Sequence, residues 1–284
     1  MSTVLDREEY VEQAYFFRTF RERVAHNLPT QDVLATLDQE ILTTTRLPMA
    51  VQFLATEVTH SGVLATGFER LSHYFTPFQG FVIRQAEEEG RKFAMDTALL
   101  VLEREATYRA GTPTKPGLFV YQFETITRNR LVYMDGLTAM SEDPFYDPDW
   151  KAYLETVRRS VGVVDFGDLV YYRSDFAVTE QRRRNPAFEP SVRMLFGEKE
   201  GKIAKASRGR DPLFLFAALQ RQLNYPEVPR SVVRDDTTTK LEMMQTKMRE
   251  LEARLKLLES ETRGGPIDWS QFGKPDLLKD DDDS

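Results

Sequence analysis

"VGVVDFGDLVYYRS", residues 161–174, is the stretch on which the fold class turns. Two runs of β-branched and aromatic residues flank Gly167-Asp168, a dipeptide suited to a tight hairpin turn. Read that way, the chain contains a sheet; read as a helix, it does not. "RMLFGEKEGKIAKA", residues 193–206, repeats the pattern with Glu198 to Gly201 as its turn. Together they predict a small antiparallel β element near 161–206 in a mainly α chain, or an α+β chain if that element extends.

Working outward toward the N-terminus, the pattern is helical. Tyr10, Ala14, Phe17, Val24 and Leu28 follow a 3.6-residue spacing that Pro29 ends. Val33, Leu37 and Ile41 mark a second helix, Pro48 opens a third through Val51, Leu54, Ala55 and Val58, and a fourth runs from Val63 to Phe75. Thr76-Pro77 is a cap and first-turn pair for one long helix reaching Ala110, where Gly111, Pro113 and Pro116 break the chain. Phe119, Phe123, Ile126, Tyr133 and Leu137 outline the next helix. Asp147 or Asp149 caps the one carrying Trp150, Tyr153, Leu154 and Val157.

On the C-terminal side, Asp211-Pro212 starts a helix through Phe216, Leu219 and Leu223 that stops at Pro226, closing a helical body over 1–230. A polar linker, 231–240, follows. Leu241, Met244, Met248, Leu251, Leu255 and Leu258 then alternate spacings of three and four, the seam of a short coiled coil over 241–263. Lys247 with Glu252, and Arg254 with Glu259, fall at successive g and e positions, where a parallel homodimer sets opposite charges against each other. Gly264-Gly265-Pro266 ends this helix. The last segment, 264–284, reads as a disordered acidic tail, and its Trp269 and Phe272 suit a docking peptide.

Composition limits the function classes. A chain of 284 residues with 41% hydrophobic composition buries a substantial core. No run approaches the roughly 18 apolar residues of a membrane helix. With no Cys there is no disulfide or thiolate site, and the early charges of "MSTVLDREEY" do not suit a secretory signal, so the expected location is cytoplasmic. The net charge of −7 is unevenly spread. Residues 181–210 hold nine cations, Arg182, Arg183, Arg184, Arg193, Lys199, Lys202, Lys205, Arg208 and Arg210, against three acids, leaving that segment at +6 and the rest at −13. Such segregation points to an anionic partner.

Three motifs invite a chemical reading. Gly197-x-x-x-Gly201-Lys202 has one residue too few for a nucleotide P-loop and is followed by Ile203 rather than the Ser or Thr that holds magnesium. Asp165-Phe166-Gly167 matches a kinase tripeptide but lacks the glycine-rich loop and the His-Arg-Asp loop upstream. Glu57-x-x-His60 has the spacing of helical di-iron ligands without a second copy. The sequence therefore reads as a non-catalytic adaptor needing no cofactor, self-associating through 241–258 and binding a protein partner through 181–210 and its tail. Nucleic-acid association through the basic segment, and a metal-dependent helical enzyme built on Glu57 and His60, are the alternatives.

Overall fold

Proline and short polar side chains set most of the helix starts. Thr76 accepts from the N–H of Gln79 while the Gln79 side chain accepts from the N–H of Thr76, a reciprocal capping box with Pro77 behind it. Thr114, Asp147, Asp165, Ser174 and Asp211 each accept from a backbone N–H two or three residues on. The computed structural model describes residues 4–26, 28–88, 92–231 and 247–248. The chain divides into two units, Met1–Ser231 and Val232–Ser284.

In the first unit the described helices are α1 (Arg7–Ala25), α2 (Thr30–Leu37), α3 (Leu47–Ser61), α4 (Leu64–Arg70), α5 (Pro77–Glu87), α6 (Met95–Ala110) and α7 (Lys115–Asn129). They continue with α8 (Tyr133–Glu142), α9 (Pro148–Ser160), α10 (Phe166–Tyr172), α11 (Asp175–Arg184), α12 (Glu198–Ala206) and α13 (Pro212–Leu223). In the second unit only Lys247 and Met248 are described, both helical and exposed. The expected heptad positions Leu241, Met244, Leu251, Leu255 and Leu258, and the tail residues Trp269 and Phe272, lie outside the described residues. No described helix is long and apolar enough to cross a membrane.

The fold is mainly helical, and the β element expected near 161–206 is corrected by it. Among the described residues the one piece of strand-like pairing is an isolated parallel bridge between Ser174 and Phe196. Gly167-Asp168 lies in the first turn of α10, because the Asp165 side chain accepts from the Gly167 N–H at 2.7 Å and starts a helix there. Phe166, Leu169 and Val170, spaced i, i+3 and i+4, then bury one face. Likewise Glu198 to Gly201 is the first turn of α12, where Glu198 and Glu200 meet the positive end of the helix dipole.

Two long helices are also shorter than expected. The one predicted from Pro77 to Ala110 stops at Glu87. There the Glu87 carboxylate accepts from the N–H groups of Leu64 and Ala65, at 2.7 and 2.8 Å, and so serves the open start of α4. The helix through Phe119 and Leu137 breaks after Asn129, where Arg130 takes a left-handed conformation with φ 54°. α8 then doubles back onto α7. The approach is close at Gly136, where a side-chain carbon would sit 2.6 Å from Ile126 Cδ1.

The core is rich in aromatic residues. Phe119 is fully buried, with its ring 5.4–6.0 Å from those of Phe123, Trp150, Tyr153, Phe166 and Phe196, so α7, α9, α10 and the 195–196 segment meet on one side chain. A polar cluster is buried where α6 meets α8 and its following loop. Arg109 donates to Glu105 Oε1 from Nε (3.0 Å) and from Nη2 (2.7 Å), and its Nη2 also bonds Asp143 Oδ2. Gln122 adds a donor to Glu105 Oε1 at 2.9 Å, and Tyr146 donates to Gln122 at 2.8 Å. Glu105 and Asp143 are 0% exposed and Arg109 5%, so two carboxylates share one guanidinium away from water. Burial pushes the Glu105 carboxyl above its ordinary range, against the pull of Arg109. Burial lowers Arg109 too, but Asp143 and Glu105 more than offset it and keep the guanidinium charged.

The segment after α13 is tied down across α7. Tyr225 donates to Glu124 Oε2 at 2.6 Å, Asn129 donates to the Pro229 carbonyl at 3.0 Å, and the Ser231 N–H donates back to Asn129 Oδ1 at 2.9 Å.

Candidate partner-binding face

α11 and α12 lie side by side because their starts are fastened together. The Asp175 N–H donates to the Phe196 carbonyl at 3.0 Å, and the N–H groups of Leu195 and Phe196 donate to the Arg173 carbonyl at 2.9 and 3.1 Å. Ser174 caps α11 and donates its hydroxyl to the Tyr171 carbonyl at 2.6 Å. Gly201, midway along α12, allows the close approach. A side-chain carbon there would overlap Ser174 Oγ and stand 2.7 Å from Phe176 Cβ, so glycine is used for packing rather than for a turn. Phe196 anchors the arrangement in the aromatic core through Trp150 and Tyr153.

The outward side of this pair carries much of the basic segment. Arg182, Arg183 and Arg184 form the exposed last turn of α11, where cations meet the negative end of the helix dipole. Lys199, Lys202 and Lys205 are exposed on α12. Lys202 and Lys205 stand 5.5 and 5.7 Å from the Phe176 ring, and the Arg208 guanidinium is 4.2 Å from the Tyr171 ring and 5.5 Å from that of Tyr172. The face is thus interleaved cation and aromatic, and its aromatic half, Tyr171, Tyr172 and Phe176, is missed by reading the sequence for charge alone.

Carboxylates from several helices occupy part of the face. Glu198 pairs with Lys202 at 2.9 Å, Glu180 with Lys205, and Asp168 with Arg208. Hydrogen bonds from Lys205 and then Tyr171 hold the Glu180 carboxyl below its usual range. The bond from Lys202 does the same for Glu198, with the charge of Arg183 a lesser contribution. Arg193 is drawn away to Asp147 and Asp149 at the start of α9, at 3.7 and 3.4 Å. Arg182 donates to the Phe188 carbonyl at 3.1 Å. The side chains of Arg183, Arg184 and Lys199 make no hydrogen bond or ion pair within the described residues, and neither does that of Arg210 in the loop before α13. What the arrangement offers is a few open cations on a rigid, aromatic-backed surface, which can bind anionic groups.

The metal candidate is placed differently. Glu57 is buried and its Oε2 accepts from Arg70 at 2.7 Å, whereas His60 is exposed on α3. No group of three or more His, Cys, Asp or Glu that could hold a metal occurs among the described residues. A cleft of about 460 Å³ lies at α4, α5 and α8, floored by Phe68, Phe75 and Phe81 and rimmed by Glu69, Arg84, Asp135 and Glu142. Arg84 pairs with Glu69 across it at 3.2 Å. Its lining includes no histidine, lysine or tyrosine. Set against protein-family models, curated proteins and solved structures, the chain matches none of them.

Proposed function

We propose that the protein is a non-catalytic cytoplasmic adaptor that takes an acidic protein partner on the α11–α12 face and self-associates through Leu241 to Leu258. One observation carries the reading. Arg183, Arg184 and Lys199, exposed and with no side-chain hydrogen bond or ion pair within the described residues, stand on two helices that Gly201 and the Ser174–Phe196 bridge hold together. A rigid trio of this kind loses little entropy on meeting carboxylates. It is also small: a protein whose duplex binding depends steeply on salt neutralises about six to ten phosphates, more than the open cations here supply. An acidic protein surface fits better than a nucleic-acid backbone.

The test is a titration of the full chain against a fluorescent Glu-rich peptide and a labelled single-stranded RNA. Exposed ion pairs contribute about 0.2–1 kcal/mol each, so changing Arg183, Arg184 and Lys199 together to Ser weakens peptide binding by roughly three- to 150-fold. Tighter binding of RNA than of peptide by the unaltered chain would move nucleic acid to first place. For self-association, Leu251→Asp with Leu255→Asp is expected to halve the mass seen by light scattering, since each change puts a charge in the heptad seam. An unchanged mass would remove the coiled-coil basis.

A further inference from the structure

The cleft at α4, α5 and α8 has a chemistry of its own. Four of its lining residues, Asp135, Thr138, Ala139 and Glu142, stand at i, i+3, i+4 and i+7 of α8 and so form one stripe along its wall. Seven residues of α-helix rise about 10 Å, which sets the two carboxylates at opposite ends of the stripe with Thr138 and Ala139 between them. Both acids are exposed, and neither side chain makes a hydrogen bond or ion pair among the described residues. Phe68, Phe75 and Phe81, each 1% exposed, close the floor. Thr76 is the one buried polar side chain of the lining. Its hydroxyl accepts from the Gln79 N–H at 3.4 Å and gives its own proton to no acceptor among the described residues, so a polar position in the cleft is left open.

The open charge here is negative. The lining holds three carboxylates, Glu69, Asp135 and Glu142, against one cation, Arg84, a formal −2. Arg84 is paired with Glu69 at 3.2 Å. The flanking arginines are engaged as well, Arg70 by Glu57 at 2.7 Å and Arg158 by Glu155 at 2.6 Å. Carboxylates at the two ends of the stripe are too far apart to share a metal ion. They can instead each meet one end of a linear dication whose hydrocarbon lies along Ala139 and the apolar floor. We propose that this cleft binds a linear polyamine, a methylene chain with one protonated amine at Asp135 and another at Glu142.

The test is calorimetric titration of the full chain at low salt with octamethylenediamine, whose ammonium groups span the stripe, and with trimethylenediamine, which carries the same charge on a shorter chain. The longer diamine is expected to bind several-fold more tightly. Asp135→Asn with Glu142→Gln should weaken it roughly two- to thirtyfold, the scale of two exposed ion pairs. Circular dichroism verifies folding, since Asp135 also meets the positive end of the α8 dipole. Ser72→Trp, at an exposed position of the lining outside α8, should weaken binding by filling the cleft while both acids stay in place. Glu22→Gln with Asp32→Asn removes the same charge from exposed acids outside the lining and should leave binding unchanged. Equal affinity for the two diamines, no loss from Ser72→Trp, or a loss from the Glu22 and Asp32 changes as large as that from Asp135 and Glu142 would overturn the proposal.

Discussion

Replacing Arg109 by Met is expected to cost about 3–5 kcal/mol of stability, because it leaves two buried carboxylates without their shared cation. For a unit of this size that is a fall in Tm of roughly 6–20 °C. Glu105→Gln is the informative partner. It leaves Arg109 with Asp143 as a neutral pair, and the amide carbonyl it introduces can still accept from Arg109 and Gln122 in place of the carboxylate oxygen. The buried Oε2 of Glu105 has no hydrogen-bond partner within the described residues, and the substitution removes the charge it shares. The expected change is within about 1 kcal/mol of neutral, or a gain.

The pH dependence has a definite sign. Burial raises the folded pKa of Glu105 above its unfolded value, so the folded state holds that proton more tightly. The group's contribution is therefore most favourable below the unfolded pKa and is lost as pH rises through the folded one. Glu105→Gln does not titrate, so its Tm relative to the unaltered protein should be higher at about pH 8 than at about pH 5. A loss from Glu105→Gln as large as that from Arg109→Met would contradict the excess-carboxylate account.

The second large effect concerns Phe119. Phe119→Ala removes the ring on which α7, α9, α10 and Phe196 converge, at an expected cost of about 3–5 kcal/mol. Since Phe196 sets the bridge to Ser174, the loss should reach the α11–α12 face. Chemical denaturation gives the stability. Hydrogen exchange at Asp175, Leu195 and Phe196, whose N–H groups make the bridge bonds, gives the coupling. A cost below about 1 kcal/mol would mean the cluster relaxes around the gap.

Much of the helical body is legible in the sequence because proline and cap residues punctuate it. Thr76-Pro77, Asp147-Pro148 and Asp211-Pro212 start helices as their chemistry requires. Residues 161–174 mislead because a short apolar run has no period of its own. Phe166, Leu169 and Val170 have helical spacing and Asp165 caps the start, but the close packing of Gly167, with only 3.2 Å between a would-be side chain and the Ala204 carbonyl, depends on a helix distant in the chain. The basic segment is visible as composition. Which of its cations stay open is not, since Asp147, Asp149, Asp168 and Glu180 come from the start of α9 and from α10 and α11 to engage the others. The Glu105 and Arg109 pair is readable at i, i+4, whereas Asp143 reaches it only through the fold.

The most direct measurement is hydrogen exchange on the full chain with and without a saturating Glu-rich peptide. Binding on the proposed face protects the last turn of α11 and the first two turns of α12, around Arg183, Arg184 and Lys199, and leaves α3 to α5 unchanged. Protection confined to the cleft at Phe68 and Arg84, or none at α11 and α12 while the peptide is bound, would contradict the account.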